Sequence, residues 1–285
     1  MLKRILTAAV ALAILIPILL FAPNYAVQGV FSLLSAIAIY EIACVTGVKK
    51  EYGFWIPVCV VLLLGQRLLG SAVDSGLLYY VWNHTTEIAL IFAAVYLVFR
   101  FKKLNVPNAL CFFAMSFYAA KGFDALEDLC VWGDELSVMG SGVSVHADRV
   151  FLWVALSIPW VADSLAYFAG RFFGKKKLCP DISPKKTVAG AVGGVAGTGV
   201  VYGLLYGILG GWEVLGILVA AVTAMCLAVA SIFGDLFASV VKRHYGVKDY
   251  GNLFPGHGGV MDRFDSTIPV ALLMLVALPV LLFLG

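Results

Sequence analysis

Apolar residues form long stretches along the chain, separated by short polar and charged segments. A helix needs about 20 mostly apolar residues to cross the roughly 30 Å hydrocarbon core of a bilayer. Nine stretches approach that length and predict membrane-spanning helices near residues 5–22, 27–46, 54–72, 86–100, 107–121, 150–172, 188–209, 214–234 and 266–284. The fourth and fifth are short, and residues 121–148 could hide a re-entrant segment, so eight or ten helices also fit the pattern. We interpret the first stretch as an uncleaved helix.

The amino-acid composition agrees with an integral membrane protein. Hydrophobic residues make up 62% of the 285 positions, charged residues only 13%, and the mean hydropathy is +0.97. An ordinary soluble domain carries roughly a quarter charged residues, so a soluble globular fold is excluded, and the high hydrophobicity excludes disorder. The six cysteines show no CxxC spacing and indicate neither a zinc cluster nor a redox motif. The predicted fold is all-α, a polytopic integral membrane helical bundle.

The distribution of basic residues predicts the orientation. If nine helices start from a cytoplasmic N-terminus, 17 of the 20 Lys and Arg residues fall in cytoplasmic loops, as the positive-inside rule requires. The net charge of +3 is too small to suggest a nucleic-acid partner. Residues 1–148 contain little beyond apolar helices and short basic turns, whereas the motifs lie in residues 149–285. We expect these two parts to form one integral membrane unit.

Glycines recur at small-xxx-small spacing in the seventh predicted helix. They are Gly190, Gly193, Gly194, Gly197, Gly199, Gly203 and Gly207. This spacing lets helix backbones approach closely, and the segment lacks the polar flanks of a nucleotide-binding loop. The pattern indicates close helix packing, either within the chain or in a homodimer.

Three carboxylates lie within or at the end of predicted helices. Charges in a membrane helix are costly and need a reason. Asp163 and Glu41 each precede a basic loop by eight residues, about 12 Å along a helix, and Asp235 ends the eighth predicted helix. Together they indicate a polar cavity open to the cytoplasm. Glu41 is equally compatible with a structural partner for an Arg or a backbone group.

The loop after the sixth predicted helix carries two lysine clusters, Lys175–Lys177 and Lys185–Lys186. Such clusters commonly fix topology or bind anionic headgroups. Here Ser183 and Thr187 frame the second pair, at the expected start of a helix whose first amides would favour phosphate. A polyphosphate site is therefore plausible, although GRFFGKK is not a Walker A motif.

The segment SIFGDLFASVVKRHYGVKDYGNLFPGHGGVMDRFDS, residues 231–266, concentrates acids, cations and glycines. Its charged members include Asp235, Lys242, Arg243, Lys248, Asp249, Asp262, Arg263 and Asp265. Carboxylates that hold Mg²⁺, together with cations that neutralise phosphate oxygens, are what phosphoryl or nucleotidyl transfer requires. A solvated loop would explain the charge but not the glycines. The residues therefore favour metal-dependent phosphate chemistry.

These motifs resemble those of the phosphatidate cytidylyltransferases, or CDP-diglyceride synthases. SVVKRHYGVKDYGNLFPGHGGVMDRFD matches S-x-x-K-R-x4-K-D-x-G-x2-F-P-x-H-G-G-x-x-D-R-x-D at every fixed position. Upstream, ADSLAYFAGRFFGKKKL and SPKKTVAG are similar to two further family motifs. The chain departs from them at Val188 and Ala189, where the family usually has Trp and Glu, and at Ala238, where it usually has Glu. Either those glutamates are not essential here, or the site is altered.

The resemblance implies that CTP and phosphatidate give CDP-diacylglycerol and pyrophosphate in phospholipid biosynthesis, at the cytoplasmic face of a bacterial inner membrane. It implies that Asp235 and Asp262 hold a catalytic Mg²⁺, with a second cation such as K⁺ left open. The remaining expected site residues are Ser183, Lys185, Lys186 and Thr187 for the triphosphate, Asp163 and Asp249 as further metal or nucleotide ligands, Lys242 or Arg243 for the lipid phosphate, His257 as a turn or anion contact, and Arg263 for the nucleotide.

Three other functions are weighed against this one. A secondary transporter would also place acids in membrane helices, but it predicts an inverted repeat that the sequence does not show. A CDP-alcohol phosphotransferase would require a DG-x2-AR signature, which is absent. A lipid-binding scaffold that has lost activity would account for the missing glutamates.

Overall fold

The computed structural model describes residues 15–49, 105–130, 149–254 and 258–284, with isolated positions 13, 84, 88, 91, 92, 95, 96, 98, 99, 102 and 256. These residues are mostly helical. The elements are α1 (Asn24–Val45), α2 (Val106–Asp128), α3 (Val150–Phe173), β1 (Lys177–Cys179), β2 (Ser183–Thr187), α4 (Val188–Gly210), α5 (Val214–His244), α6 (Met261–Phe264) and α7 (Thr267–Leu284).

The long helices fall where apolar stretches predict them. Five of the described helices, α1 to α5, are long and apolar enough to cross a membrane, and α7 covers most of the last predicted stretch. Of the predicted span 5–22, residues 15–21 are described and helical. The spans at 54–72 and, for the most part, 86–100 lie outside the described residues, so a total of nine stays a prediction.

Two helices extend beyond their predicted ends. Helix α2 continues to Asp128, through the start of the segment suspected of being re-entrant. Helix α5 has 31 residues, about 46 Å of helix, which exceeds the thickness of the hydrocarbon core. Its last turn carries Lys242, Arg243 and His244, and cations are favourable at a helix C-terminus because they oppose the helix dipole.

Contacts divide the chain into two compact units. The first unit comprises Met1–Glu127 and Tyr245–Arg263, and the second comprises Asp128–His244 and Phe264–Gly285. The predicted boundary after residue 148 rests on the distribution of motifs and stays a prediction.

In the second unit, α4 packs between α3 and α5 through its glycines. A Cβ on Gly194 would lie 2.8 Å from the carbonyl oxygen of Ala162 on α3, and one on Gly199 would lie 2.6 Å from the Met225 side chain on α5. Contacts this short are too close for any side chain at those positions. The predicted close packing is confirmed within the chain.

A two-stranded hairpin interrupts the otherwise helical second unit, which the sequence did not predict. Strands β1 and β2 are antiparallel, with Lys177 paired to Thr187 and Cys179 to Ser183. Thr187 is also the N-cap of α4, since its hydroxyl accepts the backbone N–H of Gly190 at 3.1 Å. The strand therefore passes into the helix without a linker.

In the first unit, hydrogen bonds join α1, α2 and the segment 245–263. Ser32 on α1 donates to Glu127 on α2 at 2.8 Å. The Tyr245 hydroxyl hydrogen-bonds Asn108 on α2 at 3.3 Å. Burial, reinforced by a hydrogen bond with Cys111, raises the pKa of Tyr245 to about 12, so the phenol stays protonated at neutral pH and can serve as a donor.

Candidate active site

Lys186 and Asp235 form an ion pair at the centre of the second unit. Lys186 lies near the end of β2 and Asp235 lies on α5, and their Nζ and Oδ2 atoms are 2.6 Å apart. The two side chains are 22% and 30% exposed. The other carboxylate oxygen of Asp235 accepts a hydrogen bond from Ser239 at 3.2 Å, one helical turn later. Asp235 is therefore held on both oxygens.

Asp163 on α3 lies near this pair. Its carboxylate interacts electrostatically with Lys186, which attracts it, and with Asp235, which repels it. The Asp163 side chain is exposed at the protein surface. An exposed charge inside an apolar helix needs a compensating partner, and Lys186 supplies it. Two carboxylates and one ammonium thus form a polar cluster in the second unit.

The two adjacent lysines of β2 have different environments. Successive side chains of a strand point to opposite faces, and accordingly Lys185 is exposed whereas Lys186 is half-buried. The Lys186 Nζ atom is itself buried, and apart from Asp235 it has no hydrogen-bond partner among the residues that the structure describes. Of this predicted pair, only Lys186 reaches the carboxylates.

Ser183 and Thr187, at the two ends of β2, are both half-buried. The Thr187 hydroxyl is used as the helix cap, and it fills the space beside Gly170 and Gly174, where a Cβ would lie 2.8 Å from its oxygen. Thr187 thus has a structural task in addition to the predicted role in binding triphosphate.

The two cations predicted for the lipid phosphate also differ. Lys242 is buried, and its Nζ lies 3.6 Å from a carboxylate oxygen of Asp265, which is equally buried. Arg243 is exposed, and its Nε donates to the carbonyl of Ile182 in the hairpin at 3.4 Å. The ammonium of Lys242 is already engaged by a protein carboxylate, so Arg243 is the more accessible of the two.

Asp262 belongs to the first unit, where backbone amides hold it. Its Oδ2 atom accepts the N–H of Tyr250 at 2.7 Å and of Gly259 at 2.9 Å, and the residue is buried. Asp249 and Arg263, on either side of this arrangement in sequence, are exposed. His257 lies outside the described residues.

Two interactions were missed by the reading of the sequence. Ser239 follows Asp235 by four residues, a spacing that places both on one helix face and could have indicated their hydrogen bond. Asp265 was grouped with the acids of the loop, yet it pairs with Lys242, and no local spacing indicates that contact. The sequence left Glu41 open between a place in a polar cavity and a structural contact with an Arg or a backbone group. In the structure its carboxylate accepts hydrogen bonds from the backbone of Val260 and Met261.

The donor set fits a hard divalent cation. In the second unit, Asp163 and Asp235 offer carboxylate oxygens, which Mg²⁺ prefers. Within the described part of the chain, no group of three or more His, Cys, Asp or Glu residues could hold a metal on its own. Mg²⁺ is commonly bound through one or two carboxylates together with substrate phosphates, so the residues fit an ion that arrives with a nucleotide.

Helices long and apolar enough to cross a membrane define an integral membrane protein, and its second unit holds a polar cluster of Lys186, Asp235 and Asp163. Residues 2–281 match the model of the cytidylyltransferase family. The chain belongs to that family.

Proteins named phosphatidate cytidylyltransferase are similar to this chain. The one from Staphylococcus saprophyticus is 30% identical over 270 residues, which cover 92% of this chain and 93% of that protein. Those from Bacillus subtilis and Brucella abortus are 43% and 41% identical over 116 and 161 residues, covering 41% and 55% of this chain. In these two the match spans 42% and 53% of the relative's length, about half of each protein.

Proposed function

We propose that this protein transfers the cytidylyl group of CTP to phosphatidate, giving CDP-diacylglycerol and pyrophosphate. The observation that carries the proposal is the Lys186–Asp235 ion pair beside Asp163, in a chain of the cytidylyltransferase family. A cation and carboxylates at the ends of membrane helices suit a reaction between a soluble nucleotide and a lipid. Family membership favours this chemistry over the transporter that the intramembrane acids also allowed.

Lys186 is the residue that we assign to the triphosphate. Its ammonium already lies against a carboxylate oxygen, and a phosphate oxygen is an acceptor of the same kind. When CTP enters, Lys186 turns from Asp235 to the nucleotide, and the carboxylate becomes available to a cation. In this exchange the ammonium gains a phosphate oxygen and the carboxylate gains a cation, so neither charge is left without a counter-charge.

Asp235 and Asp262 would hold Mg²⁺, and we leave a second cation such as K⁺ as an open part of the proposal. When bound, the ion supplies neutralisation of the charge that develops on the phosphate oxygens. The residues of the chain bind and orient the reactants. Asp235 is fixed by Ser239, and Asp262 by two backbone amides. Each carboxylate is thus held in a fixed orientation within its own unit, which favours catalysis because misplaced groups lose much of the advantage of proximity.

The reaction needs no strong base. The attacking group is a phosphate oxygen of the lipid, which is ionised near neutral pH, and pyrophosphate leaves from the α-phosphorus of CTP. Arg243, exposed at the end of α5, is the side chain that we assign to the lipid phosphate. Lys185, Ser183, Asp249, Arg263 and His257 remain secondary candidates for contacts with the nucleotide.

We also propose nine helices with a cytoplasmic N-terminus, in a bacterial inner membrane, with the site facing the cytoplasm. The distribution of basic residues supports this orientation. Alkaline phosphatase fused after Lys177 should be inactive and, fused after Gly285, active. The reverse pattern would overturn the orientation. A homodimer stays open, and cross-linking of the purified protein tests it.

The decisive experiment uses the full-length protein purified in detergent. With CTP, phosphatidate and Mg²⁺ present, pyrophosphate should be released and CDP-diacylglycerol should accumulate in equal amounts. A reaction without lipid is the control. If pyrophosphate release does not exceed that control, the protein is not this enzyme, and the scaffold hypothesis suggested by Val188, Ala189 and Ala238 gains support.

A further inference from the structure

Glu41 is a buried carboxylate in the membrane helix α1, and both of its oxygens are used. Oε1 accepts the backbone N–H of Val260 and Oε2 accepts that of Met261, each at 3.0 Å. The residue is only 5% exposed. All three residues lie in the first unit. Glu41 therefore binds a backbone segment directly, and that segment leads into Asp262.

Glycines make this approach possible. A Cβ on Gly251 or on Gly259 would collide with the Glu41 carboxylate. Two backbone stretches, one before and one after the turn of the loop, thus close around the same side chain. Only glycine leaves room for the carboxylate at these positions.

The same two stretches also hold Asp262. Tyr250 and Gly259 donate their backbone N–H groups to its Oδ2 atom. Tyr250 is next to Gly251, and Gly259 is next to Val260. Glu41 and Asp262 are thus anchored by neighbouring amides of one loop, and the two carboxylates are close enough to repel each other. The amides between them offset that repulsion and fix the separation of the two groups.

We propose that Glu41 is a positioning residue, which holds the backbone of residues 259–261 so that the Asp262 carboxylate keeps a fixed direction. This inference rests on the proposed function, in which Asp262 is a ligand of the catalytic cation. Groups that orient a metal ligand commonly change metal affinity or activity by about 10–100-fold when they are removed. A helix distant in sequence from the signature motif thereby acts on the reaction.

Glu41→Gln tests the proposal, with Glu127→Gln as the matched control. Glutamine keeps one acceptor oxygen but presents an N–H₂ group to the other backbone donor, which removes one hydrogen bond. Glu127 is also a buried carboxylate of the first unit, and it accepts a hydrogen bond from the Ser32 side chain on α1. Both variants thus replace a buried carboxylate by an amide, and Glu41→Gln changes the group that accepts the Val260 and Met261 amides.

The first readout is amide hydrogen exchange in the purified full-length protein without ligands. In Glu41→Gln, the amides of Val260 and Met261, and those of Tyr250 and Gly259 that hold Asp262, should exchange at least ~10-fold faster. In Glu127→Gln they should exchange as in the wild type. Unchanged exchange in Glu41→Gln would overturn the proposal, and this readout does not depend on catalysis.

The second readout is turnover as a function of Mg²⁺. Glu41→Gln should need ~10-fold more Mg²⁺ for half-maximal activity, whereas Glu127→Gln should match the wild type. Faster exchange with an unchanged Mg²⁺ requirement and kcat would also overturn the positioning role. If the wild type shows no activity, the proposed function fails, and exchange at Tyr250 and Gly259 alone decides whether Glu41 fixes Asp262. Should Glu41→Gln not accumulate, Glu41→Asp, which keeps the charge but is shorter, takes its place in both measurements.

Discussion

Lys186→Met should weaken CTP binding far more than Lys185→Met, although the two lysines are adjacent. At 2.6 Å, two unit charges attract by about 6 kcal/mol at an effective dielectric constant of 20. Desolvation and lost side-chain freedom offset most of that, and a charge-assisted hydrogen bond contributes about 1.5–3 kcal/mol net. If Lys186 gives that bond to a phosphate oxygen, its loss costs about 2 kcal/mol, or roughly a 30-fold higher Kd for CTP.

The neighbouring lysine provides the control, since Lys185 is exposed on the opposite face of β2. An exposed charge pair contributes at most about 1 kcal/mol, so Lys185→Met should change CTP affinity less than ~5-fold. Methionine keeps the length of the apolar stem in both variants. The loss of Lys186 also leaves Asp235 and Asp163 without their shared cation, which should lower stability in the absence of Mg²⁺.

The assay is pyrophosphate release at varied CTP with saturating phosphatidate, and then at varied phosphatidate with saturating CTP. The expected result is a raised half-saturating concentration for CTP alone in Lys186→Met. If only the phosphatidate series changed, the assignment of the hairpin to the nucleotide and of Arg243 to the lipid would be reversed. If the two lysine variants behaved alike, the position of Lys186 beside Asp235 would have no bearing on CTP.

Three further predictions concern the carboxylate, the buried ion pair and the glycine packing. Asp262→Asn should abolish turnover while size-exclusion chromatography shows a folded protein, and near-normal activity would mean that the cation is held elsewhere. Lys242→Met should lower the free energy of unfolding by about 3–5 kcal/mol, because it removes the ammonium that faces the buried Asp265 carboxylate, and the double variant with Asp265→Leu should recover much of that loss in denaturant titrations. Gly194→Ala should destabilise the protein by about 1–3 kcal/mol, because the new Cβ would lie 2.8 Å from a carbonyl oxygen of α3, whereas Gly29→Ala, with nothing within 4 Å, should not lower thermal stability.

Hydropathy predicted the described membrane helices well, because the length of an apolar stretch is set directly by the bilayer. Helix ends were less predictable. Helix α5 continues from Asp235, next to the predicted end of the span, to His244, because a charged residue can end an apolar stretch without ending the helix. The glycine packing was predicted because a spacing of four places small residues on one helix face.

The site was predicted in its residue types but only partly in its contacts. Asp163 and Asp235 were both expected to line a polar cavity, and in the structure both interact with Lys186. The sequence could not show that Lys242 is buried and Arg243 exposed. The side chain that faces the protein interior depends on the rotation of α5 about its axis, and Asp265, which pairs with Lys242, lies 23 positions away in the sequence. The hairpin was missed because SPKKT has no alternation of apolar and polar residues to mark a strand.

The junction at Thr187 limits where the length of the chain can change. Thr187 ends β2 and caps α4. Lys186, which pairs with Asp235, is therefore joined to the glycine-packed helix without a flexible linker. An insertion on either side of Thr187 would rotate that lysine away from the carboxylates, whereas the exposed residues Pro180 and Asp181, between the two strands, can accept added residues at less cost. Epitope tags or fluorescent labels for following this protein in the membrane therefore belong at Pro180 and Asp181 in the hairpin turn, six or seven positions before Thr187, where even one extra residue should abolish activity.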